Sequence, residues 1–245
     1  MIMNSLTAAR HHITHRIQQL YSNHILTPCL LCGIDTKQSC LCTQCFNDLP
    51  ILGHHCQRCA MPIAHGQYCG QCLIKPPIRH YTKSLFRYTS PIDGLIGDMK
   101  YHDQLHLINY FGIQLSAYLQ QRNTPKPTLL IPIPLHSKKC RHRGYNQATE
   151  LAKTLSKQLN IPLDNRSLIR TKNTLSQTQL PYNQRKQNMN SAFQCDHKGL
   201  PEHIALIDDV LTTGHTADMA AKVCLKHGAK TVEVWTIART IREYA

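Results

Sequence analysis

What this chain has little of narrows it first. No apolar run approaches the roughly 18 residues of a membrane span. The opening stretch, Met1 to Leu26, carries Arg10, His11, His12, His15 and Arg16 in place of an apolar core, so it does not read as a secretory signal. Together the two absences set the expectation of a cytoplasmic protein with no transmembrane segment. Nothing repeats like collagen or a coiled coil, and at 42% apolar residues the chain is too apolar for disorder. Acidic residues are scarce: the 245 residues hold 14 Asp plus Glu against 28 Lys plus Arg, a formal net charge of +14. So basic a balance points to an anionic partner (nucleic acid, an acidic membrane surface or a polyphosphate substrate) and says nothing about fold.

Cysteine is the residue in excess, with twelve copies. Eight of them form Cys29-x2-Cys32, Cys42-x2-Cys45, Cys56-x2-Cys59 and Cys69-x2-Cys72, and adding 27 to the first four positions gives the last four. The block is therefore an internal repeat of CxxC-x9-CxxC. A CxxC turn points two thiolates the same way, and two such turns complete the tetrahedral sulfur shell of a closed structural zinc site. Disulfides would want a secretory signal, and a thioredoxin-like redox pair a strand–helix setting; neither is present. The spacing leaves the pairing open: sequential sets need the shorter loops, and a crossed arrangement is the alternative. Cys40 reads as a bystander, and Cys140, Cys195 and Cys224 as ordinary thiols.

Residues 1–26 read as a short amphipathic helix, with Leu6, Ile13, Ile17 and Leu20 on one side. Residues 27–77 are the double zinc ribbon, whose small size fits metal replacing an apolar core, and Lys75-Pro76-Pro77 marks its end. From 78 to 245 strands and helices alternate. Strands are expected at 84–88, 128–133, 167–170, 203–207 and 231–237, and helices at 91–100, 105–120, 145–159 and 216–227. Residues 171–190 hold eight Asn or Gln and no apolar periodicity, which predicts a long loop. The alternation predicts an α/β fold with a parallel sheet and right-handed crossovers.

The run Ile204-Ala-Leu-Ile-Asp208-Asp209-Val-Leu-Thr212-Thr213-Gly214-His215-Thr216 is the most informative. An apolar strand leads into two adjacent carboxylates, expected on a polar loop at the strand end. A Thr-Thr-Gly-x-Thr turn and a helix follow. Ligands of open α/β sheets sit at the carboxyl ends of strands. Such a turn aims N–H groups and hydroxyls at a phosphate, aided by the helix dipole. The carboxylates beside it are suited to sugar hydroxyls or to Mg²⁺. The bland reading is a helix cap beside a solvated Asp-Asp pair; the setting after a buried strand argues against it.

That run resembles the phosphoribosyl pyrophosphate (PRPP) signature of type I phosphoribosyltransferases. The resemblance implies that Asp208 and Asp209 bind the ribose hydroxyls, with Mg²⁺ accompanying PRPP, and that Thr212, Thr213, Gly214, His215 and Thr216 hold the 5′-phosphate. His215 departs from the usual small residue. Ile131-Pro-Ile-Pro-Leu-His136, Arg143-Gly-Tyr-Asn-Gln147, Thr174-Leu-Ser-Gln-Thr178 with Leu180, and Arg185-x2-Asn188-x4-Phe193 follow one another in that order. With the cysteine block they resemble the ComF family of competence-associated proteins, from about Cys29 to about Arg239. That likeness implies a type I phosphoribosyltransferase-like domain behind a zinc ribbon domain, and a role in DNA uptake beside a translocation machinery.

Residues 131–200 contain twelve Lys or Arg against Glu150, Asp164 and Asp196. By position after a strand end, Lys138, Lys139, Arg141 and Arg143, with Arg185, are assigned to pyrophosphate or to a nucleic-acid phosphate. Tyr182 is the candidate for stacking on a base, as single-strand binders do, while Tyr145 reads more readily as packing. Two functions fit. One is a DNA-uptake protein binding single-stranded DNA and PRPP; the other is a metabolic enzyme moving ribose 5-phosphate from PRPP to a nitrogen base. No residue set specifies a nucleobase. A zinc-ribbon scaffold with a vestigial pocket is the plainest third reading.

Overall fold

A nine-residue strand, His203–Leu211, organises the larger part of the chain. It is apolar from Ile204 to Ile207, all fully buried, as a strand covered on both faces of a parallel sheet must be. The computed structural model describes residues 26–37, 40–101, 104–121, 124–135, 144–171, 192–196 and 199–241. In chain order its elements are β1 (Thr27–Pro28), β2 (Asp35–Thr36), α1 (Thr43–Asn47), α2 (Gly70–Ile74), β3 (Tyr81–Arg87), α3 (Ile92–Tyr101), α4 (Leu105–Gln120), β4 (Leu129–Pro132), α5 (Gln147–Leu159), β5 (Leu168–Arg170), β6 (Phe193–Cys195), β7 (His203–Leu211), α6 (His215–Lys226) and β8 (Thr231–Arg239). The amphipathic helix expected before residue 26 and nearly all of the 171–190 loop lie outside the described residues.

The chain divides into two compact units, Met1–Leu49 and Pro50–Ala245. In the first, β1 and β2 pair antiparallel, and the Cys42 sulfur caps α1 by accepting from the Cys45 N–H at 3.4 Å. In the second, four parallel strands run in the order β3-β8-β7-β4. Both edges of this sheet are closed, as exposed strand edges must be to avoid pairing with other chains. On the β3 side, Pro50 accepts from Arg87 N–H (2.8 Å), Leu52 donates to Leu85 (2.9 Å) and Gln57 accepts from Thr82 N–H (2.7 Å). On the β4 side, Leu130 donates to Pro162 and accepts from Asp164, at 2.8 and 2.9 Å. The second cysteine set is thus continuous with the strap that covers β3.

One buried cluster joins Ile131, Leu206, Val232 and Val234 of the sheet to Ala217, Ala220, Ala221 and Cys224 of α6. The helix presents small residues because it lies close against the strands. Phe86 and Phe111 meet edge to face at 5.9 Å, joining β3 to α4. Gly112 lets α4 approach α5, since a Cβ there would come within 2.7 Å of Thr154. The buried Glu233 carboxylate is satisfied by Trp235 Nε1 at 2.7 Å and His203 Nε2 at 2.9 Å.

Candidate phosphate-binding site and metal centres

The acidic pair is not on a loop, as expected from the sequence, but inside β7, which continues through Leu211. The strand persists because β8 runs alongside, with Asp208 opposite Thr236 and Leu211 opposite Arg239. Side chains of successive strand residues point to opposite faces, yet both carboxylates fold back onto the chain. Asp208 accepts from the Asp209 N–H at 2.9 Å and Asp209 from the Val210 N–H at 2.6 Å. Asp209 is also paired with Lys100 at 3.0 Å, both side chains more than four-fifths buried. Burial, and then the neighbouring Asp209 carboxylate, push the Asp208 carboxyl well above the usual carboxylate range. Such a group ionises readily only when a cation or a donor-rich ligand joins it.

The turn follows directly. Thr212 and Thr213 are exposed and Gly214 is buried. The Thr213 hydroxyl accepts from the His215 N–H at 3.3 Å. Gly214 has φ +81°, and a Cβ there would come within 2.7 Å of the Arg79 guanidinium, so both backbone and space demand glycine. α6 then begins at His215, and the first N–H groups of a helix have no partners within it. Two exposed hydroxyls therefore border the positive end of a helix dipole, beside two carboxylates. His215 and Thr216 are half-buried at the helix start.

Two arginines that the sequence analysis did not single out brace this turn from behind. Arg79, 2% exposed, donates to Asp218 Oδ1 at 2.7 Å and to Thr82 Oγ1 at 2.8 Å. Arg239, 6% exposed, donates to the carbonyls of Leu211 (2.9 Å), Thr212, Thr240 (2.8 Å) and Cys59 (2.8 Å). Neither belongs to a local motif; only their positions before β3 and at the end of β8 bring them here. Lys100, at the end of α3, was equally invisible for the same reason.

Lys138, Lys139, Arg141, Arg143, Arg185 and Tyr182 lie outside the described residues. The chain on either side of 136–143 is anchored at the sheet. Ile133 donates to Ile207 at 2.9 Å, and Asn146 Nδ2 donates back to the Ile133 carbonyl at 3.1 Å. Asn146 also caps α5, accepting from the Ala148 N–H at 3.2 Å, which accounts for the Asn of the Gly-Tyr-Asn-Gln run. The Tyr145 hydroxyl donates to the Met99 carbonyl.

The eight cysteines gather as two sets, Cys29, Cys32, Cys42, Cys45 and Cys56, Cys59, Cys69, Cys72, with the sulfur atoms of each set within 4.8 Å of one another. Pairing is sequential, not crossed. A tetrahedral zinc with about 2.3 Å bonds to sulfur has ligands about 3.8 Å apart; Cys32 and Cys42 are 3.8 Å apart, and Cys59 and Cys69 are 3.6 Å apart. Burial opposes ionisation of Cys29, but the N–H groups of Cys42, Cys32 and Leu31 bring its pKa down to about 6. Cys56 is likewise brought down to about 7, against burial, by the N–H groups of Cys69, Cys59 and Arg58. Cys32, Cys45 and Cys72 move the other way. Cys59 is pushed up to about 11, chiefly by burial and also by the Cys56 charge. Close-packed thiolates resist ionisation without a cation, and a divalent ion relieves that. Both sets fit structural zinc. Cys224, by contrast, is pushed up to about 12, mainly by burial, and is an inert core thiol.

Parallel sheet, acidic pair, glycine turn and helix make an α/β domain that resembles type I phosphoribosyltransferases, with a cysteine-rich zinc ribbon region before it. A family profile for the double zinc ribbon domain matches residues 18–73. DNA utilization protein YhgH of Shigella flexneri is 32% identical over 191 residues, covering 76% of this chain and 84% of that protein. Competence protein F of Haemophilus influenzae is 31% identical over 226 residues, covering 86% of this chain and 96% of that protein. The chain belongs to the ComF family of competence-associated proteins. A purine phosphoribosyltransferase from Pyrococcus horikoshii Ot3 aligns in crystal structure with a TM-score of 0.35 and 18% identity, over 54% of this chain and 83% of that one. Among the described residues no helix is long and apolar enough to cross a membrane.

Proposed function

We propose that this protein serves DNA uptake, binding single-stranded DNA and PRPP through its phosphoribosyltransferase-like domain. The carrying observation is the arrangement at the end of β7: exposed Thr212 and Thr213 hydroxyls, a glycine turn and a helix start beside Asp208 and Asp209. In this reading the turn takes the 5′-phosphate, and the acidic pair takes the ribose hydroxyls with Mg²⁺. Lys138, Lys139, Arg141, Arg143 and Arg185 neutralise pyrophosphate or the DNA backbone, and Tyr182 stacks on a base. The relatives, a DNA utilization protein and a competence protein, support the DNA half. The net charge of +14 supports a polyanionic partner. A DNA-uptake translocation machinery is the proposed protein partner.

The intact acidic pair favours a second reading, transfer of ribose 5-phosphate from PRPP to a nitrogen base. Catalysis would then be mostly electrostatic. Mg²⁺ would supply charge to the departing pyrophosphate, and this chain's part is to hold the phosphate and the ribose in place. Calorimetry with PRPP·Mg²⁺ and with single-stranded DNA, separately and together, tests the first reading; base-dependent pyrophosphate release tests the second. Binding of neither ligand overturns both.

A further inference from the structure

The Cys56–Cys59 turn of the second ribbon is tied to the phosphate turn by two short chains of hydrogen bonds. In one, Gln57 and Arg58 offer their carbonyls to Thr82, from its N–H and its hydroxyl, both at 2.7 Å. Thr82 accepts from Arg79 Nε, and the Arg79 guanidinium packs on Gly214 and pairs with Asp218 in the first turn of α6. In the other, the Cys59 carbonyl accepts from Arg239 Nε, while Arg239 Nη1 holds the carbonyls of Leu211 and Thr212. The three carbonyls between and at the two ligands are thus the anchor points, and the two ends of the 212–214 turn are what they hold. A cavity of about 440 Å³ between them is lined by Cys59, Arg79, Thr212, Thr213 and Arg239 among others. Backbone bonds from Ala60 to Cys56 and from Gln57 to Gln67, both 2.8 Å, shape this turn, and a metal shared by the sulfurs of Cys56 and Cys59 would stiffen it further, so both chains start from one metal-braced turn.

We propose that metal in the second ribbon holds the 212–216 turn in its anion-binding shape through Arg79 and Arg239, whereas metal in the first ribbon has no such effect. The idea rests on the reading of that turn as a phosphate site. Arg79 and Arg239 are positioning residues: each guanidinium lies behind the turn, engaged with the protein's own oxygens.

The test uses the full chain, zinc-loaded, with inorganic phosphate and PRPP·Mg²⁺ as calorimetric probes and amide hydrogen exchange over 212–218 as a second readout. Cys56→Ser with Cys59→Ser should weaken binding of both probes roughly tenfold or more and speed exchange across the turn. Cys29→Ser with Cys32→Ser should leave affinity and exchange at 212–218 as in the parent. Because the first pair also perturbs the strap over β3, Arg239→Lys provides a variant that retains both metals. A lysine cannot reach Cys59 and Leu211 together, so it should reproduce the faster exchange without zinc loss. Equal effects of the two cysteine pairs, or unchanged exchange in Arg239→Lys, would overturn the coupling. If the parent binds neither probe, the phosphate reading fails, and the exchange comparison still decides for or against the coupling.

Discussion

At Asp208 the proposed function and stability oppose each other. Burial and Asp209 raise its carboxyl well above the usual range, so the fold favours the protonated form. The stability it contributes is fully present below the unfolded value of about 3.9 and is lost as pH rises through the raised folded value. Asp208→Asn should therefore melt at a higher temperature relative to the parent as pH is raised from about 4 towards 8; parallel melting curves across that range would contradict this. The same variant, like Asp209→Asn, should weaken PRPP·Mg²⁺ binding by roughly tenfold or more, since removing a hydrogen bond to a charged group costs about 1.5–3 kcal/mol. Asp209→Asn differs in one respect. It strands the mostly buried Lys100 and should lower the melting temperature as well. At Gly214, φ is +81° and Arg79 fills the space of a Cβ. Gly214→Ala should cost about 1–3 kcal/mol in a denaturant titration, through strain and displacement of the guanidinium.

At the scale of elements, most boundaries could be read from periodicity and breakers. The helix expected at 105–120 occupies those residues, because apolar positions recur every three or four residues and a polar, proline-broken segment follows. The strand expected at 203–207 ends four residues later. Two carboxylates look like a loop in sequence; in the fold, pairing with β8 carries them as strand, a non-local stabilisation that no local propensity encodes. The basic segment after β4 remains an expectation at this scale. Replacing Lys138, Lys139, Arg141 and Arg143 with Gln should weaken single-stranded DNA binding for all sequences alike. It should also flatten the log–log salt dependence by about 0.7 for each phosphate no longer neutralised. An unchanged affinity and slope would move the DNA site elsewhere. Tyr182→Ala should cost about 1–3 kcal/mol of DNA affinity if the ring stacks on a base, and almost nothing if it does not.

For the whole molecule, metal analysis of the intact chain should return about two zinc ions per protein, one per closed four-cysteine set. Cys42→Ser with Cys45→Ser should unfold the unit ending at Leu49 and leave the parallel-sheet unit cooperative in calorimetry, since metal supplies the folding energy of so small a ribbon. A folded first ribbon without zinc would refute it. The cysteine repeat, the parallel α/β class and the glycine turn before α6 were all determined by the sequence itself, because each depends on residues close together in the chain: ligand spacing, apolar period, turn chemistry. Only the tertiary structure decided that the second ribbon continues into the strap along β3, that the acidic pair stays in the sheet, and that Arg79, Lys100 and Arg239 meet at its end. Those three arrive from a loop, a helix end and a strand end far apart in sequence. What selects them is the satisfaction of backbone carbonyls and carboxylates gathered at the strand ends, a requirement that arises only once the strands have packed.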